Sequence, residues 1–275
     1  MIDGERILRF CAGSFTIVAF LVSACSHTKA HERAIRVAAA ADLKFAIGVL
    51  ATQFEKQTGT RVDVTYGSSG NFFSQIQNGA PFDLFFSADI EYPEKLAAAK
   101  LAESDTLYEY AVGRIVIWAP AESKLDLTRL GWKTLLDANV RKIVIANPEH
   151  APYGRAAVAA LRNAGIYEQV KTKLVYGENI SQAAQLVQSG NAQAGIVAMS
   201  LAMSPGMKEG RYWAIPAYMH PAIEQGVVLL RGASNKDAAR SFLEYVQSTA
   251  GRAELEKSGF AIPPARKLSA EKAKN

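Results

Sequence analysis

Four short stretches of the chain set small residues beside hydroxyl, amide or carboxylate side chains just ahead of a run with helical periodicity. They are Ala38-Ala39-Ala40-Ala41-Asp42-Leu43, Tyr66-Gly67-Ser68-Ser69-Gly70-Asn71, Asn147-Pro148-Glu149-His150-Ala151-Pro152-Tyr153-Gly154 and Tyr176-Gly177-Glu178-Asn179-Ile180-Ser181. The first N–H groups of a helix lack partners within it and sit at the positive end of its dipole, so such turns hold anions. In the second stretch Gly67 and Gly70 let an oxyanion approach the backbone, and Ser68 and Ser69 can donate hydrogen bonds. No Lys or Arg lies in that turn, and it lacks the GxxxxGK[ST] spacing of a P-loop. Neutral donors suit an anion that arrives fully ionised and is told from others by size. Spacing alone leaves open that Ser68 or Ser69 is simply an N-cap.

Other chemistries are poorly provided for. Both cysteines, Cys11 and Cys25, lie in the first thirty residues, so the rest of the chain has no means for a disulfide or a thiolate metal site. The histidines, at 27, 31, 150 and 220, fit no HExxH or paired spacing, which argues against structural zinc. Neither a nucleophile–base pair nor a phosphate-handling lysine loop is evident, so binding is expected rather than catalysis. Net charge is +5 without a basic block, and nucleic acid is not implied.

The elements that must position the turns follow an α/β pattern. Strands are expected at Ile35 to Ala39, Arg61 to Tyr66 and Leu84 to Ser87, with helices at Leu43 to Gln57, Ser68 to Asn78 and Tyr92 to Leu101. This βαβαβα order predicts a parallel sheet covered by helices. The pattern restarts with one long strand from Tyr110 to Trp118. Strands near Lys142 to Ala146, Lys173 to Tyr176 and Ala194 to Ala198 follow, with helices at Tyr153 to Asn163 and Ser181 to Gln188. Val227 to Arg231 reads as a last strand, and helices at Lys236 to Gln247 and Ala250 to Lys257 close the chain. Ligands of open α/β sheets bind at the carboxyl ends of strands, which is where the four turns fall. Phe72, Phe73, Phe82, Phe85 and Phe86, and Trp118, Trp132 and Trp213, are expected to pack the core or hinge. Asp83 and Asp89 are expected to serve turns and caps, and a lone loop residue such as His150 to be solvated.

Ahead of this body, Arg6 and Arg9 precede an apolar run from Phe10 to Cys25, the pattern of a secretory signal. The ending Leu21-Val22-Ser23-Ala24-Cys25 resembles a lipoprotein cleavage site, with Cys25 lipidated and Ser26 to Arg33 a tether. Ordinary cleavage near Ala30 is the alternative.

The chain resembles the periplasmic molybdate-binding proteins of ABC transporters. The matching stretches, in order from about residue 34 to 264, are VAAAADLKFAI, YGSSGNFFSQIQNGAPFDLFFSAD, YAVGRIVIWAP, IANPEHAPYGRAA and GENISQAAQLVQSGNAQAGIVAMS. The resemblance implies a two-lobed type II periplasmic-binding fold, each lobe a mixed sheet flanked by helices. Residues 34–112 with 214–264 would form lobe 1 and residues 113–213 lobe 2, after a leader over 1–33 and before a disordered tail over 265–275. It implies an exported, monomeric protein that closes over molybdate or tungstate, uses no cofactor and delivers the anion to a membrane permease. Sulfate, phosphate and ferric iron are the alternative ligands.

Carried over residue by residue, the resemblance puts ligand positions on Asp42, Ser69, Tyr153 and the Ile180 backbone N–H, with Ser68 and Asn179 beside them. Some members have a Tyr where this chain has Ala198, and Tyr153 is the candidate replacement. Asp42 stands where Ser or Asn is frequent. A carboxylate about 4 Å from an anionic charge is unfavourable by roughly 1–4 kcal/mol. Asp42 is therefore expected to offer its backbone N–H and to turn its carboxylate away to cap its own helix. A carboxylate facing the site would point instead to a cation.

Overall fold

The computed structural model describes residues 34–264. The expectations for Cys25, the leader and the tail over 265–275 lie outside the described residues.

The first sheet takes the order β2-β1-β3-β10-β4 and contains β1 (Ile35–Ala40), β2 (Val62–Gly67), β3 (Leu84–Ser87), β4 (Tyr108–Gly113) and β10 (Ile223–Leu229). The second, in the order β7-β6-β8-β5-β9, contains β5 (Ile115–Ala119), β6 (Ile143–Ala146), β7 (Leu174–Gly177), β8 (Ala194–Ala198) and β9 (Arg211–Ala214). Helices α1 (Lys44–Thr58), α2 (Ser69–Gln77), α3 (Glu91–Ala98), α9 (Lys236–Gln247) and α10 (Thr249–Lys257) accompany the first sheet. Helices α4 (Leu127–Leu130), α5 (Pro152–Asn163), α6 (Tyr167–Val170), α7 (Ile180–Gln188) and α8 (Met199–Ala202) accompany the second. The fold is thus two-lobed α/β, with a mixed five-stranded sheet in each lobe.

Three differences from the expected elements stand out. Tyr110 to Trp118 is not one strand. It breaks at Arg114, with β4 pairing to β10 in the first sheet and β5 to β8 and β9 in the second. Both segments are buried and read as apolar runs, so Gly113-Arg114 is the one mark between them and it does not announce a change of sheet. The strand β9 was not anticipated, because Arg211, Tyr212 and Ala214 are exposed and an edge strand need not alternate. Helix α3 also stops short of Leu101, where Lys100 takes a left-handed φ of 60°.

Within each sheet, two adjacent parallel strands matter most. The β1–β2 pair and the β6–β7 pair are both parallel and in register along their length. The four donor-rich turns follow these four strands, so both sheets present carboxyl ends to the same task.

Anchors hold the frame. Asp83, fully buried, accepts from the Arg36 N–H at 2.7 Å and the Ser234 N–H at 2.7 Å, and pairs with the Arg36 guanidinium at 3.3 Å. This ties β1 to the segment leading into α9. Burial pushes the Asp83 carboxyl up, but the Arg36 and Ser234 donors outweigh it and hold the group below the usual carboxylate range. Phe54, Phe86, Tyr110 and Phe242 interlock edge to face beneath α1 and α9, with centroids 5.2–6.3 Å apart. In the second lobe Trp118 is buried and donates to the Met207 carbonyl at 3.2 Å, and Trp132 meets Trp213 edge-on at 5.6 Å.

Candidate functional site

The four turns converge. The Ser68 hydroxyl donates to the His150 carbonyl at 3.0 Å, and the Gly70 N–H donates to the same oxygen at 3.0 Å. The Asn71 side chain donates to Glu178 at 3.4 Å. The Tyr153 hydroxyl donates to Asp42 Oδ2 at 2.8 Å, and Ser200, at the start of α8, donates to the Asp42 carbonyl at 2.9 Å. Each bond crosses from an element of the first sheet to one of the second. Close approach is built in: a Cβ on Gly70 would sit 2.7 Å from the His150 carbonyl oxygen.

At three of the turns the helix start disposes of its N–H groups in a matching way. In α2, Ser68 is the N-cap. Its Oγ accepts from Asn71 N–H at 3.3 Å, Gly70 N–H goes to His150, and Phe72 N–H returns to the Ser68 carbonyl. In α5, Pro152 has no N–H, and those of Gly154 and Arg155 return to the Ala151 carbonyl. In α7, Asn179 is the N-cap and takes both Ser181 and Gln182 N–H at 3.0 Å, while Ala183 N–H returns to the Asn179 carbonyl. What is left over in each first turn is one N–H: Ser69, Tyr153 and Ile180. All three residues are buried. The Ser69 hydroxyl accepts from Ala88 N–H at 2.9 Å and keeps its own proton to donate.

The helix starts tolerate little else. A Cβ on Gly154 would collide with the Ala146 carbonyl, and one on Gly177 would lie 2.6 Å from Ala183 N. These glycines let α5 and α7 begin directly against the ends of β6 and β7.

Asp42 departs from the capping expectation. It lies in a single 3-10 turn, Ala41–Leu43, that leads into α1, and its side chain caps neither element. Oδ2 accepts from Tyr153 and, at 2.7 Å, from Gln225 Nε2, while Oδ1 is buried without a hydrogen-bond partner. Burial pushes the carboxyl up to about 6, against the Gln225 and Tyr153 donors and the amides of Asp42 and Leu43, which favour the ionised form. The carboxylate was expected to cap its own helix start, but its hydrogen bonds go to the two donors from β10 and α5, and the Asp42 and Leu43 amides act on it only as nearby dipoles.

Tyr153 is also used differently. Its hydroxyl donates to Asp42 and accepts from Gln225 Nε2 at 2.9 Å, so the group expected to replace the missing tyrosine at Ala198 is already engaged. Burial, and then the Asp42 charge, raise its ionisation well above the ordinary range, and it stays a neutral donor. Its N–H is the atom left over. His150 contributes its carbonyl, while its ring lies 3.6 Å from Glu149. Asp89 meets Arg155 across the cleft, a pairing that the turn-and-cap expectation did not include.

Sequence reasoning missed Gln225. The last strand was read as Val227 to Arg231, but β10 runs Ile223–Leu229, and of its two polar side chains Glu224 is exposed and Gln225 fully buried. A lone amide inside an apolar strand was the available signal, because such a group must find partners.

Comparison with known proteins agrees with this geometry. The family model for bacterial extracellular solute-binding proteins matches residues 35–261. The chain is 36% identical over 230 residues to the molybdate-binding protein of Azotobacter vinelandii, spanning 83% of this chain and 90% of that protein. It is 34% identical over 207 residues to that of Rhodobacter capsulatus, spanning 75% and 80%. The solved structure of the Azotobacter vinelandii periplasmic molybdate-binding protein matches with a TM-score of 0.79 at 32% identity, over 84% of this chain and 100% of that one.

Proposed function

The chain belongs to the bacterial extracellular solute-binding proteins, and on that footing we propose that it captures molybdate or tungstate between its lobes and delivers the anion to an ABC importer. One observation carries the reading. Ser69, Tyr153 and Ile180 are each the single first-turn N–H that its helix leaves unspent, and the turns that hold them meet at one place between the sheets. Three neutral donors at helix starts, with the Ser69 hydroxyl, suit a bare tetrahedral oxyanion. The naming of its relatives as molybdate-binding proteins supports molybdate in particular.

Closure follows from the geometry. The bonds from Ser68 and Gly70 to His150, from Asn71 to Glu178 and from Tyr153 to Asp42 all join the lobes. An anion spanning donors from both lobes would favour this arrangement over an open one, and the permease would read the closed form. Fixed donors set for a larger oxyanion leave sulfate with long hydrogen bonds. The protein acts as a monomeric binding protein and not as an enzyme, and it needs no cofactor. We take lobe 1 as residues 34–112 and 214–264 and lobe 2 as residues 113–213, to within the one residue by which Gly113 completes β4 and Ala214 completes β9.

Export to the periplasm belongs to the same proposal, through cleavage near Ala30 or with Cys25 lipidated. Palmitate labelling of the wild type but not of Cys25→Ser would fix the second route.

A second reading has one observation behind it. If Asp42 stays ionised, its unpartnered Oδ1 suits an anion that itself carries a proton, such as hydrogen phosphate. A thermal-shift panel of molybdate, tungstate, sulfate, phosphate and ferric citrate separates the readings. Molybdate and tungstate should raise the melting temperature at micromolar concentration. A shift with phosphate alone would establish the second reading.

A further inference from the structure

We propose that Gln225 is a positioning residue that clasps the two halves of the anion site, holding Asp42 of the first lobe and Tyr153 of the second in one bonded unit and so slowing release of the captured anion. The inference rests on the oxyanion reading above.

Three independent features prepare this place for the amide. First, the β10–β4 register shifts between Gln225 and Gly226, a bulge that re-aims the side chain. Gly226 is required there, since a Cβ would lie 2.8 Å from Ile90 Cγ1. Second, Gly113, where the chain leaves β4, supplies the room. A Cβ there would collide with the Tyr153 hydroxyl and lie 2.8 Å from Gln225 Nε2. Third, the Tyr110 hydroxyl donates to Gln225 Oε1 at 2.7 Å. The same hydroxyl lies 3.1 Å from the Ser87 carbonyl and shares its one proton between the two oxygens, so it is the Asp42 carboxylate that orients the amide, with both Nε2 protons facing the site, one toward Asp42 Oδ2 and one toward the Tyr153 hydroxyl. The two Nε2 protons and the Tyr153 hydroxyl proton then each have one acceptor. Without the amide, Asp42 would keep Tyr153 as its single side-chain donor, in a place water does not reach.

The ionisable groups facing Gln225 are Asp42, Tyr110 and Tyr153. On the elements packed around it, Glu91 pairs with Lys95, Arg155 with Asp89, Lys236 with Glu103 and Arg240 with Asp105, and Glu224 is exposed. A carboxyl at position 225 would therefore answer to Asp42.

The test uses radiolabelled molybdate chased with unlabelled anion. Gln225→Met and Gly113→Ala should release label about tenfold faster or more, with association changed by no more than about twofold. Gln225→Glu should match the Met variant at about pH 8, where two carboxylates face each other. It should return toward the wild-type rate near pH 5.5, where one proton restores a donor. A purely structural role would not give that recovery. In the ligand-free proteins, hydrogen exchange over residues 66–71 and 147–154 should be faster in the Met and Ala variants. Wild-type release from variants that melt cooperatively, or a Glu variant that tracks the Met variant at every pH, overturns the clasp. If those variants fail to fold, Tyr110→Phe decides: about threefold faster release supports the clasp, and an unchanged rate overturns it. A wild type that binds no molybdate sinks the oxyanion reading, and the exchange comparison then decides the clasp by itself.

Discussion

The Tyr153 hydroxyl donates to Asp42 Oδ2 across 2.8 Å, and this bond joins the turn after β1 to the first turn of α5 on the opposite sheet. It fixes what each residue has left to offer an anion. Tyr153 has spent its hydroxyl and keeps its N–H. Asp42 has one satisfied oxygen and one, Oδ1, that is buried alone. A carboxyl so placed is the electrostatic difficulty of the site, because any captured anion must lie near it.

That difficulty makes a pH prediction. Burial raises the Asp42 carboxyl to about 6 in the folded protein, above its ordinary value near 4. The folded state therefore holds a proton that the unfolded chain has given up between those values. The stability associated with protonation is fully present below about pH 4 and is lost as pH rises through about 6. The loss is on the order of 3 kcal/mol. Asp42→Asn removes this dependence and keeps an acceptor for Tyr153 and Gln225. Its melting temperature relative to wild type should climb as pH rises from 4 to 7. A constant difference across that range would contradict the account.

The same substitution should act on the ligand. Above about pH 7 the wild-type carboxylate repels the anion, so Asp42→Asn should tighten molybdate binding there by roughly 1–2 kcal/mol. Near pH 5 the two proteins should converge. Calorimetry at the two pH values measures this, and weaker binding by the variant at both would show that the carboxyl itself assists capture.

Ser68 and Ser69 should separate by function. Ser69→Ala removes a donor facing the site and should weaken anion binding by roughly 1–3 kcal/mol. Ser68→Ala removes the α2 cap and one bond to His150, and should lower stability by about 0.5–2 kcal/mol. Paired melting curves and titrations of both variants check the split. Equal binding losses would mean that the two hydroxyls do the same work.

Asp83 gives an acid-side prediction of opposite sign. Its carboxyl is held below the usual range by Arg36 and Ser234, so its contribution is present above the ordinary carboxylate value and is lost as pH falls through the lowered one. Asp83→Ala strands the Arg36 and Ser234 N–H groups in the interior, and a loss on the order of 3 kcal/mol is expected at neutral pH. The wild-type advantage should shrink below about pH 4. An advantage that does not shrink at all as pH falls below about 4 would contradict this assignment.

Much of this was legible in residue order, because it depends on local pattern. Buried parallel strands read as apolar runs, glycine with hydroxyl and amide residues marks the turns after β2, β6 and β7, and small residues ahead of Asp42 mark the turn after β1. What escaped depends on contacts far apart in the chain. Gly113 and Arg114 interrupt the apolar run from Tyr110 to Trp118, but the change of sheet there is set by pairing with β10 on one side and with β8 and β9 on the other. Asp42 reads as a cap because a cap is local, whereas its actual partners lie 111 and 183 residues away. Gln225 announced only that it needed partners, and the bulge that aims it toward the site depends on pairing with β4.

The most direct test of oxyanion capture is calorimetric titration of the body, residues 34–264, with molybdate and in parallel with sulfate and phosphate at pH 7. The account predicts one site, with molybdate held at micromolar concentration or tighter and sulfate weaker by about 100-fold, close to 3 kcal/mol. No heat with molybdate, or sulfate or phosphate bound as tightly, would contradict it.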